Sequence, residues 1–497
     1  MQTSISAFVK RQRAAAPAAS VGDVRLLKCE SSTLLREREF GERVGVVLGA
    51  MYRVPCGSLL PEELEQHKEK LTMHPIEFAN FSKSSSFAAF ECDGDWLGVP
   101  RFYGVRHFGP PKILATAPGE PVQFTFAGNL GEAQLKAAQS CLDTLRRPAH
   151  ESGGMLVLPC GYGKTIVALY VAATLGVRTC VLVHKSFLTE QWRDRVHTFL
   201  PGATVGRIQG NTMDAEVDVC IAMVQSVAAR DYPASVLDKF GLLIVDEAHH
   251  MSAPYFSRSL RKLKCARILA LSATPERKDG LTDLLYWSMG PVLHRVQRRP
   301  EPLDVFLLTY NGGKRRELQT RDGNLNVPRM ITDIAGDASR NRLIAKVMAQ
   351  LHARGRNIIV LSDRITQLKE LLVLFGAEAG PHASEGATFY IGSTSASERE
   401  AACERSPIFS TFSMAKEGLD IPRLDTLVFA TPKSDIEQSV GRIQRPCDTK
   451  QRPLVVDIVD PWSVFRTIRF KRCRHYREMQ YVVTEVDESS VFDTPWP

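Results

Sequence analysis

Short apolar runs alternate with helix-length amphipathic stretches along the chain from about Phe124 onward. A short continuous apolar run is typical of a strand covered on both faces, whereas apolar residues that recur every three to four positions are typical of a helix. Strands and helices in this alternation predict a parallel sheet with helices on both faces. The strand-type runs are Met155–Leu158, Thr179–Val183, Val217–Met223, Leu242–Val245 and Ile268–Leu271, and the helix-type stretches include Lys164–Leu175 and Glu190–Phe199.

The same alternation is repeated in the second half of the chain, which predicts two α/β lobes in tandem. The joint between them is expected near Gln297–Pro302. The second set of strand-type runs is Val305–Thr309, Asn357–Leu361, Phe389–Ile391, Ile408–Thr411, Thr426–Phe429 and Leu454–Ile458, and the helix-type stretches are Asn341–Ala353, Thr366–Phe375, Ala396–Arg405 and Ser434–Ile443.

The regions outside the two predicted lobes do not show this alternation of apolar runs and amphipathic stretches. Residues 1–20 are expected to be a disordered tail, because they include an Ala/Pro-rich stretch with little to pack. Residues 21–120 mix short apolar runs with Gly and Pro, and with candidate strands in Val44–Val54 and Trp96–Val105 they predict a small α+β domain. The lobes are then expected over 121–297 and 298–462, and residues 463–497 are expected to be a C-terminal tail.

The start of that C-terminal tail is basic and carries interleaved aromatic residues over Arg466–Arg477. One interpretation is a strip that binds phosphates and stacks bases on its aromatic rings. The other is a helix that packs on the second lobe and keeps its charges in water. The end of the tail, Asp487–Pro497, is acidic and is expected to be disordered.

Composition narrows the class of protein only slightly. The 497 residues are 44% hydrophobic and 24% charged, and no apolar run approaches the roughly 20 residues of a membrane span. The chain does not open on a secretory signal, so we expect an intracellular protein, in the host nucleus or cytoplasm if it is viral, with no membrane partner. A net charge of +8 is compatible with binding of a phosphate backbone but does not establish it. The eleven cysteines contain no C-x-x-C pair, which favours buried free thiols over a zinc site.

The loop between the first strand and the following helix carries the first chemical motif. Gly161 and Gly163 let the backbone curl close to an anion, and the N–H groups of the helix N-terminus attract it. Lys164 is expected to reach the β- and γ-phosphates of ATP, and Thr165 to hold Mg²⁺. Leu158 stands where the first glycine of the full G-x-x-x-x-G-K-[ST] pattern belongs, so a chance G-K-T at a helix start is the alternative. The predicted ATP-binding residues of the loop are Pro159, Cys160, Gly161, Tyr162, Gly163, Lys164 and Thr165.

Two further strands end in polar residues. Leu242–Val245 runs into Asp246 and Glu247, and ligands bind at this end of parallel strands. Asp246 is expected to hold Mg²⁺ and Glu247 to polarise the attacking water, the alternative being a charged surface loop. The residues predicted to couple the nucleotide to the other lobe are Ser272, Thr274 and His249.

A basic segment in the second lobe completes the set. On a helix, Gln438, Arg442 and Arg445 would fall on one face, at steps of four and three residues. Arginines presented by a facing lobe can stabilise the γ-phosphate as arginine fingers. A solvated basic helix face is the alternative.

The order LPCGYGKT, DEAH, SAT and QSVGRIQR resembles that of superfamily 2 helicases. The segments LTEQW, MVQS, ATPERKDG and LSDR are similar to the XPB-like branch. STFSMAKEGLDIP and ATPKSDIEQSVGRIQRP resemble the helicases of large DNA viruses and phages, among them the poxvirus transcript-release helicase and the UvsW type. The resemblance covers about residues 124–460, and Leu158 matches this branch. It implies two RecA-like lobes that clamp ATP between them.

The resemblance also implies roles for residues outside the motifs discussed above. Gln134 matches the glutamine that reads adenine, and Gly418 and Asp420 match the motif that couples ribose and nucleic acid. QSVGRIQR lacks the QRxGRAGR form of RNA helicases, which favours DNA or an RNA–DNA hybrid. The residues that fall in motifs lining the nucleic-acid groove are Gln191, Trp192, Ser226 and Arg364.

These features together predict an ATP-dependent DNA helicase or translocase with ATP and Mg²⁺ as cofactors. The expected setting is viral-type replication, repair or transcription. The alternative is a transcription elongation or transcript-release factor that uses the same motor on the transcription machinery. A motor-dead binding module is disfavoured, because Lys164, Asp246 and Glu247 are all present.

The first residues of the chain suggest a separate binding partner. Gln2, Ile5 and Phe8 resemble a sliding-clamp binding box, although Val9 replaces its second aromatic residue. A disordered tail and a transit peptide are the alternatives for this segment.

Overall fold

The structure is a computed structural model that describes residues 45–75, 86–159, 161–248, 253–273, 276, 280–296, 302–313, 316–417, 419, 421–445, 447, 449–493 and 496. The predicted tail over residues 1–20 and the clamp-binding box with Gln2, Ile5 and Phe8 lie outside these residues. The candidate site residues Cys160, His249, Thr274, Gly418 and Asp420 also lie outside them.

The N-terminal region is a small α+β domain, as the sequence predicts. Its main sheet has the strand order β5-β6-β2-β1-β7, and β3 pairs with β4. The elements are β1 (Val47–Leu48), β2 (Tyr52–Pro55), α1 (Pro61–Lys70), β3 (Thr72–Met73), β4 (Phe87–Ala88), β5 (Glu91–Cys92), β6 (Trp96–Val99), α2 (Arg101–Phe108) and β7 (Ile113–Leu114).

The predicted strand Trp96–Val105 is wrong in its second half, because β6 ends at Val99 and α2 follows. Pro100 has φ −54° and ψ 142°, so it ends the strand and forms the N-cap of α2. The Arg101 side chain is buried and donates to the carbonyl oxygens of Cys265 and Ala266 at 2.7 and 3.0 Å. Burial lowers the pKa of Arg101 to about 10. This guanidinium therefore fastens the small domain to the first lobe.

The first lobe is an α/β unit with a largely parallel sheet. Its strand order is β11-β10-β12-β9-β13-β14-β8-β15, with an antiparallel pairing between β10 and β11. The elements are α3 (Glu132–Leu145), β8 (Gly153–Val157), α4 (Lys164–Leu175), β9 (Thr179–Val183), α5 (Ser186–Phe199), β10 (Val205–Gln209), β11 (Thr212–Met213), β12 (Val219–Met223), α6 (Val224–Ala229), α7 (Ala234–Leu237), β13 (Leu242–Val245), α8 (Ala253–Leu260), β14 (Arg267–Ser272), α9 (Thr282–Met289) and β15 (Val292–Arg295).

Helices cover both faces of this sheet, which explains why its central strands are continuously apolar. Along β9, Val181 and Val183 join the core on one face, while Cys180 and Leu182 join the core on the other. This alternation follows from the two-residue period of a strand. Both cores are needed to hold β8 and β13, whose C-terminal ends carry the candidate site.

The second lobe repeats the architecture with a parallel sheet in the order β18-β19-β17-β20-β21-β16-β22. The two predicted tandem RecA-like lobes are thus confirmed. The elements are β16 (Asp304–Thr309), α10 (Val327–Ala335), α11 (Ala338–Ala353), β17 (Ile358–Leu361), α12 (Ile365–Ala379), α13 (Pro381–Glu385), β18 (Thr388–Tyr390), α14 (Ala396–Ala402), β19 (Ile408–Ser410), α15 (Phe412–Glu417), β20 (Thr426–Phe429), α16 (Glu437–Arg442), β21 (Leu454–Val459), α17 (Ser463–Glu478) and β22 (Val482–Asp487).

The region expected to be a C-terminal tail is folded onto the second lobe. Helix α17 buries Phe465, Arg472 and Tyr476, and β22 pairs in parallel with β16. Beyond β22, Val491 and Trp496 join the core of the lobe. The expectation of disorder after residue 487 is therefore wrong for these residues, because two apolar side chains anchor a segment that is otherwise polar.

Among the described residues, no helix has both the length and the apolar character that a membrane crossing requires.

Candidate functional site

A curled loop at the C-terminal end of β8 forms one wall of the candidate site. Leu158 N donates to Ser272 O at 3.1 Å, which ties the start of the loop to the end of β14. Gly161 and Gly163 have φ of 86° and 77°, in the left-handed region that glycine adopts at low cost. Gly163 is also the N-cap of α4, which begins at Lys164. The helix N-terminus therefore points its N–H groups at the loop, as an anion site requires.

Gln134 braces this loop from the start of α3. Its Oε1 accepts from Gly131 N at 3.0 Å, and its Nε2 donates to Tyr162 O at 3.1 Å. A Cβ on Gly163 would lie 2.5 Å from Gln134 Nε2. The amide therefore holds the loop backbone in its curl, and its role in reading adenine stays a prediction.

Two carboxylates at the end of β13 face the loop. Lys164 Nζ lies 3.1 Å from Glu247 Oε1, with both side chains mostly buried. Glu247 has φ 47°, in the left-handed region that a residue with a side chain rarely adopts. This strained turn directs Glu247 towards the lysine of the phosphate loop, and such strain is typical of functional sites.

Asp246 is the more deeply buried of the two carboxylates. Trp192 Nε1 donates to Asp246 Oδ2 at 2.8 Å. Burial, together with the neighbouring charge of Glu247, raises the pKa of Asp246 from 3.8 to about 6. The Trp192 hydrogen bond and the charge of Lys164 act in the opposite direction. A buried carboxylate with a raised pKa is a suitable ligand for a cation, which would favour its ionised form.

The chemistry of these side chains fits a magnesium–nucleotide complex. Mg²⁺ prefers oxygen ligands such as a carboxylate, and it usually binds through one or two carboxylates plus the phosphates of the substrate. Asp246 offers the carboxylate at the end of β13, and Thr165 offers a hydroxyl at the start of α4. The curled loop and Lys164 supply N–H donors and positive charge for the phosphates.

The second lobe brings an arginine to the same loop. A Cβ on Gly161 would lie 3.5 Å from Cγ and 3.7 Å from Nε of Arg445, so this side chain lies directly against the phosphate loop. Arg442 is buried and donates through Nη1 to Leu419 O at 2.7 Å. Gln438 is buried on the same helix. Arg445 of the second lobe thus lies next to the phosphate loop of the first lobe.

The expectation that one helix face carries Gln438, Arg442 and Arg445 is wrong for Arg445. Helix α16 ends at Arg442, and Ile443 is its C-cap. A proline follows Arg445 in the sequence, and the residue before a proline is disfavoured in the α region. Arg445 therefore reaches the loop from a bend beyond the helix.

Comparisons with known proteins show which family the chain belongs to. Residues 128–277 match the family model described as the res subunit of type III restriction enzymes. Over 433 residues the chain is 34% identical to a protein of Acanthamoeba polyphaga mimivirus that is named as an ATP-dependent RNA helicase, and the match covers 84% of this chain and 82% of that protein. A similarly named protein of African swine fever virus (strain Badajoz 1971 Vero-adapted) is 26% identical over 365 residues, which cover 67% of this chain and 70% of that protein.

The chain belongs to the superfamily 2 helicases. It is an ATP-dependent helicase of the type found in large DNA viruses and phages. Its fold is similar to that of a fragment described as the HsdR subunit of a type I restriction enzyme from Vibrio vulnificus YJ016. That likeness has a TM-score of 0.53 at 16% identity, and it covers 73% of this chain and 70% of that chain.

One residue that was predicted to line the nucleic-acid groove is buried in the interior of the helicase. Trp192 was expected among the residues that line the nucleic-acid groove, but its side chain is only 1% exposed and is bonded to Asp246. A tryptophan buries a large apolar area and seeks a partner for its N–H, and both needs are met here. The sequence gives no sign of this contact, because Trp192 and Asp246 lie 54 positions apart.

The other predicted groove residues of the helicase are partly exposed. Ser226 Oγ accepts from Gly210 N at 2.9 Å, and Gln191 is half-buried on α5. Arg364 donates to Thr332 Oγ1 at 2.8 Å, to Asp363 O at 2.9 Å and to Pro328 O at 2.6 Å. Arg364 therefore anchors α10, and contact with a nucleic acid would use its remaining N–H groups.

Proposed function

We propose that this helicase hydrolyses ATP with Mg²⁺ at the junction of its two lobes and couples the cycle to movement along DNA. The observation that carries the proposal is that Arg445 of the second lobe lies next to Gly161 of the phosphate loop. Hydrolysis at such a site needs positioning and charge stabilisation, because phosphoryl transfer involves little covalent chemistry by the protein. A site shared by two lobes also makes the angle between them depend on the nucleotide.

Each side chain has a proposed part in this reaction. The N–H groups of the loop and Lys164 hold the phosphates, and Lys164 moves from Glu247 towards them. Asp246 and Thr165 hold Mg²⁺, which neutralises charge on the phosphates when bound. Glu247, once released by Lys164, orients the attacking water. Arg445 stabilises the charge that develops on the γ-phosphate.

DNA is the proposed track, as a branched duplex or as part of an RNA–DNA hybrid. Support comes from the QSVGRIQR segment, which differs from the QRxGRAGR form of RNA helicases. An RNA track, or a role in releasing transcripts, is the second candidate, because the mimivirus and African swine fever virus relatives are named as RNA helicases.

The test compares ATPase stimulation by single-stranded DNA, duplex DNA, forked DNA, single-stranded RNA and an RNA–DNA hybrid. We expect forked DNA or the hybrid to give the largest stimulation. Stimulation by RNA alone would overturn the DNA assignment. Stimulation by none of the five would overturn the coupling itself.

Variants of the motor residues test the chemistry in the same assay. Lys164→Ala is expected to abolish hydrolysis, and Glu247→Gln to lower it by about 10²–10⁴-fold, as loss of a catalytic base does. DNA binding should persist in both. Lys136→Ala, an exposed lysine on α3, is the matched control and should hydrolyse ATP at the wild-type rate. Hydrolysis at the wild-type rate in either motor variant would refute the assignment.

The N-terminal box is proposed as a contact for a sliding clamp. Support comes only from the spacing of Gln2, Ile5 and Phe8. Calorimetry of a peptide of residues 1–20 against the cognate clamp is expected to give heat that Ile5→Ala and Phe8→Ala abolish. No heat, or heat that both substitutions leave unchanged, would end the proposal.

A further inference from the structure

Helix α17 has two chemically distinct faces. The inner face buries Phe465, Arg472 and Tyr476 against the second lobe. The outer face is exposed and carries four cations around an aromatic ring. We call these residues the α17 strip: Arg466, Phe470, Lys471, Arg474 and Arg477.

The strip has a large excess of positive charge. Lys471 and Arg477 have no ion-pair partner among the described residues, and the Nε of Arg466 is bonded only to Pro461 O. Arg474 lies 2.8 Å from Glu478, and side chains that are 71% and 57% exposed make such a pair weak. The helix therefore presents cations that the fold does not neutralise.

Phe470 is the unusual member of the strip. It is 66% exposed and lies four residues from both Arg466 and Arg474, so one stripe of the helix alternates guanidinium, ring and guanidinium. The packing of α17 does not use this ring, because the inner face already supplies Phe465 and Tyr476. A large exposed ring among cations is suited to a ligand that is both anionic and flat.

The position of the strip connects it to the rest of the second lobe. Phe465, at the start of α17, packs with Met330 and Ile334 of α10. The same helix α10 accepts two hydrogen bonds from Arg364, the residue expected near the nucleic-acid groove. The strip is about 16 Å long, at 1.5 Å per helical residue, and can face several consecutive phosphates.

We propose that the α17 strip binds single-stranded nucleic acid outside the ATP site, with a base stacked on Phe470 and phosphates on the surrounding cations. This inference rests on the proposed function, in that the motor moves on nucleic acid. An acidic peptide would satisfy the charges but would leave the ring without a partner. A duplex would engage the cations, but its bases are already stacked on each other. Unpaired bases match both features.

The experiment measures binding of the full-length protein to a fluorescent 20-nucleotide single strand and to a blunt duplex of the same length. Phe470→Ala tests stacking, and Lys471→Gln with Arg477→Gln tests phosphate contact. The matched control removes two exposed cations, by Arg342→Gln with Lys369→Gln, from α11 and α12 on the other face of the sheet. All five positions are exposed, so the variants should fold.

We expect Phe470→Ala to weaken single-strand binding at least about fivefold, as loss of one stacked base does, and to leave duplex binding unchanged. The double charge variant should lower the slope of log affinity against log salt by about 1.4 for a single strand, and the control should not. Competition by polyglutamate should be poor.

Three results would overturn the proposal. Wild-type affinity and a wild-type salt slope in the strip variants would show that the α17 strip does not bind nucleic acid. Equal loss for the single strand and the duplex in Phe470→Ala would show that the strip has no preference for unpaired bases. Efficient competition by polyglutamate would indicate a generic acidic partner. ATPase stimulation of the wild-type protein, measured in parallel, separates these outcomes from failure of the motor assignment.

Discussion

At the scale of single residues, Asp246 shows a conflict between stability and function. Its pKa is raised from 3.8 to about 6 in the folded protein, so the folded state binds the proton more tightly than the unfolded chain. Stability therefore falls as the pH rises from about 4 to about 6, and the whole cost is present at pH 7.

Asp246→Asn is accordingly expected to raise the melting temperature by a few degrees at pH 7 while it abolishes ATPase activity. The amide oxygen can still accept from Trp192, but the ligand proposed for Mg²⁺ is lost. Differential scanning fluorimetry at pH 5 and pH 7 checks the sign, because the gain should shrink at the lower pH. A lower melting temperature at pH 7 would show that Lys164 and Trp192 stabilise the ionised carboxylate by more than burial and Glu247 destabilise it.

Gly163 is the residue at which the phosphate loop depends most on the absence of a side chain. Gly163→Ala would strain a φ of 77° and push Gln134 Nε2 away from Tyr162 O. We expect a loss of about 1–3 kcal/mol of stability and of nucleotide binding, measured by fluorescent-nucleotide titration. Gly57→Ala, at a position with open space and no positive φ, is the control and should behave as the wild type. Wild-type nucleotide affinity in Gly163→Ala would contradict the account of the loop.

The sequence could place some of these residues and not others, for a physical reason. Lys164, Asp246 and Glu247 follow strands of a parallel sheet, whose carboxyl ends meet at one edge, so their proximity was predictable. The contact between Trp192 and Asp246 depends on how α5 packs, and local pattern does not encode it. The position of Arg445 next to the phosphate loop depends on where α16 ends and on how the two lobes pack against each other.

At the scale of elements, the end of the chain departs most from the sequence-based expectation. Apolar and polar residues do not alternate strictly along β22, and seven of the 16 residues of α17 are charged. Apolar pattern alone therefore gave no strand here. Besides its buried aromatic rings, α17 is held by polar contacts: Arg472 lies 2.8 Å from Asp457, and Tyr476 Oη donates to Asp457 Oδ2 at 2.9 Å.

Arg472→Met is therefore expected to destabilise the second lobe by about 3–5 kcal/mol, because it leaves Asp457 buried without its cation. The double variant Arg472→Met with Asp457→Asn should recover a large part of that loss. Urea unfolding followed by tryptophan fluorescence checks both. Equal stability of the single and double variants would show that the ion pair is not what holds α17.

At the scale of the whole molecule, the two lobes meet at the phosphate loop while the N-terminal domain is fastened to the first lobe. Arg101 donates to two carbonyl oxygens near β14, and Tyr103 contacts Trp287 of α9 edge-to-face, with ring centroids 5.2 Å apart. The N-terminal domain is thus expected to move with the first lobe, and the change in angle during the cycle to lie between the two lobes.

The most direct test of this account is the single-turnover rate of ATP hydrolysis in Arg445→Ala, in the presence of a stimulating nucleic acid. In related phosphoryl-transfer enzymes, an arginine supplied by a facing domain accelerates hydrolysis by about 10³–10⁵-fold. We predict a loss of at least about 10³-fold with nucleotide affinity little changed, and no loss in Arg354→Ala, an exposed arginine of the same lobe. Hydrolysis by Arg445→Ala at the wild-type rate would contradict a site shared by the two lobes.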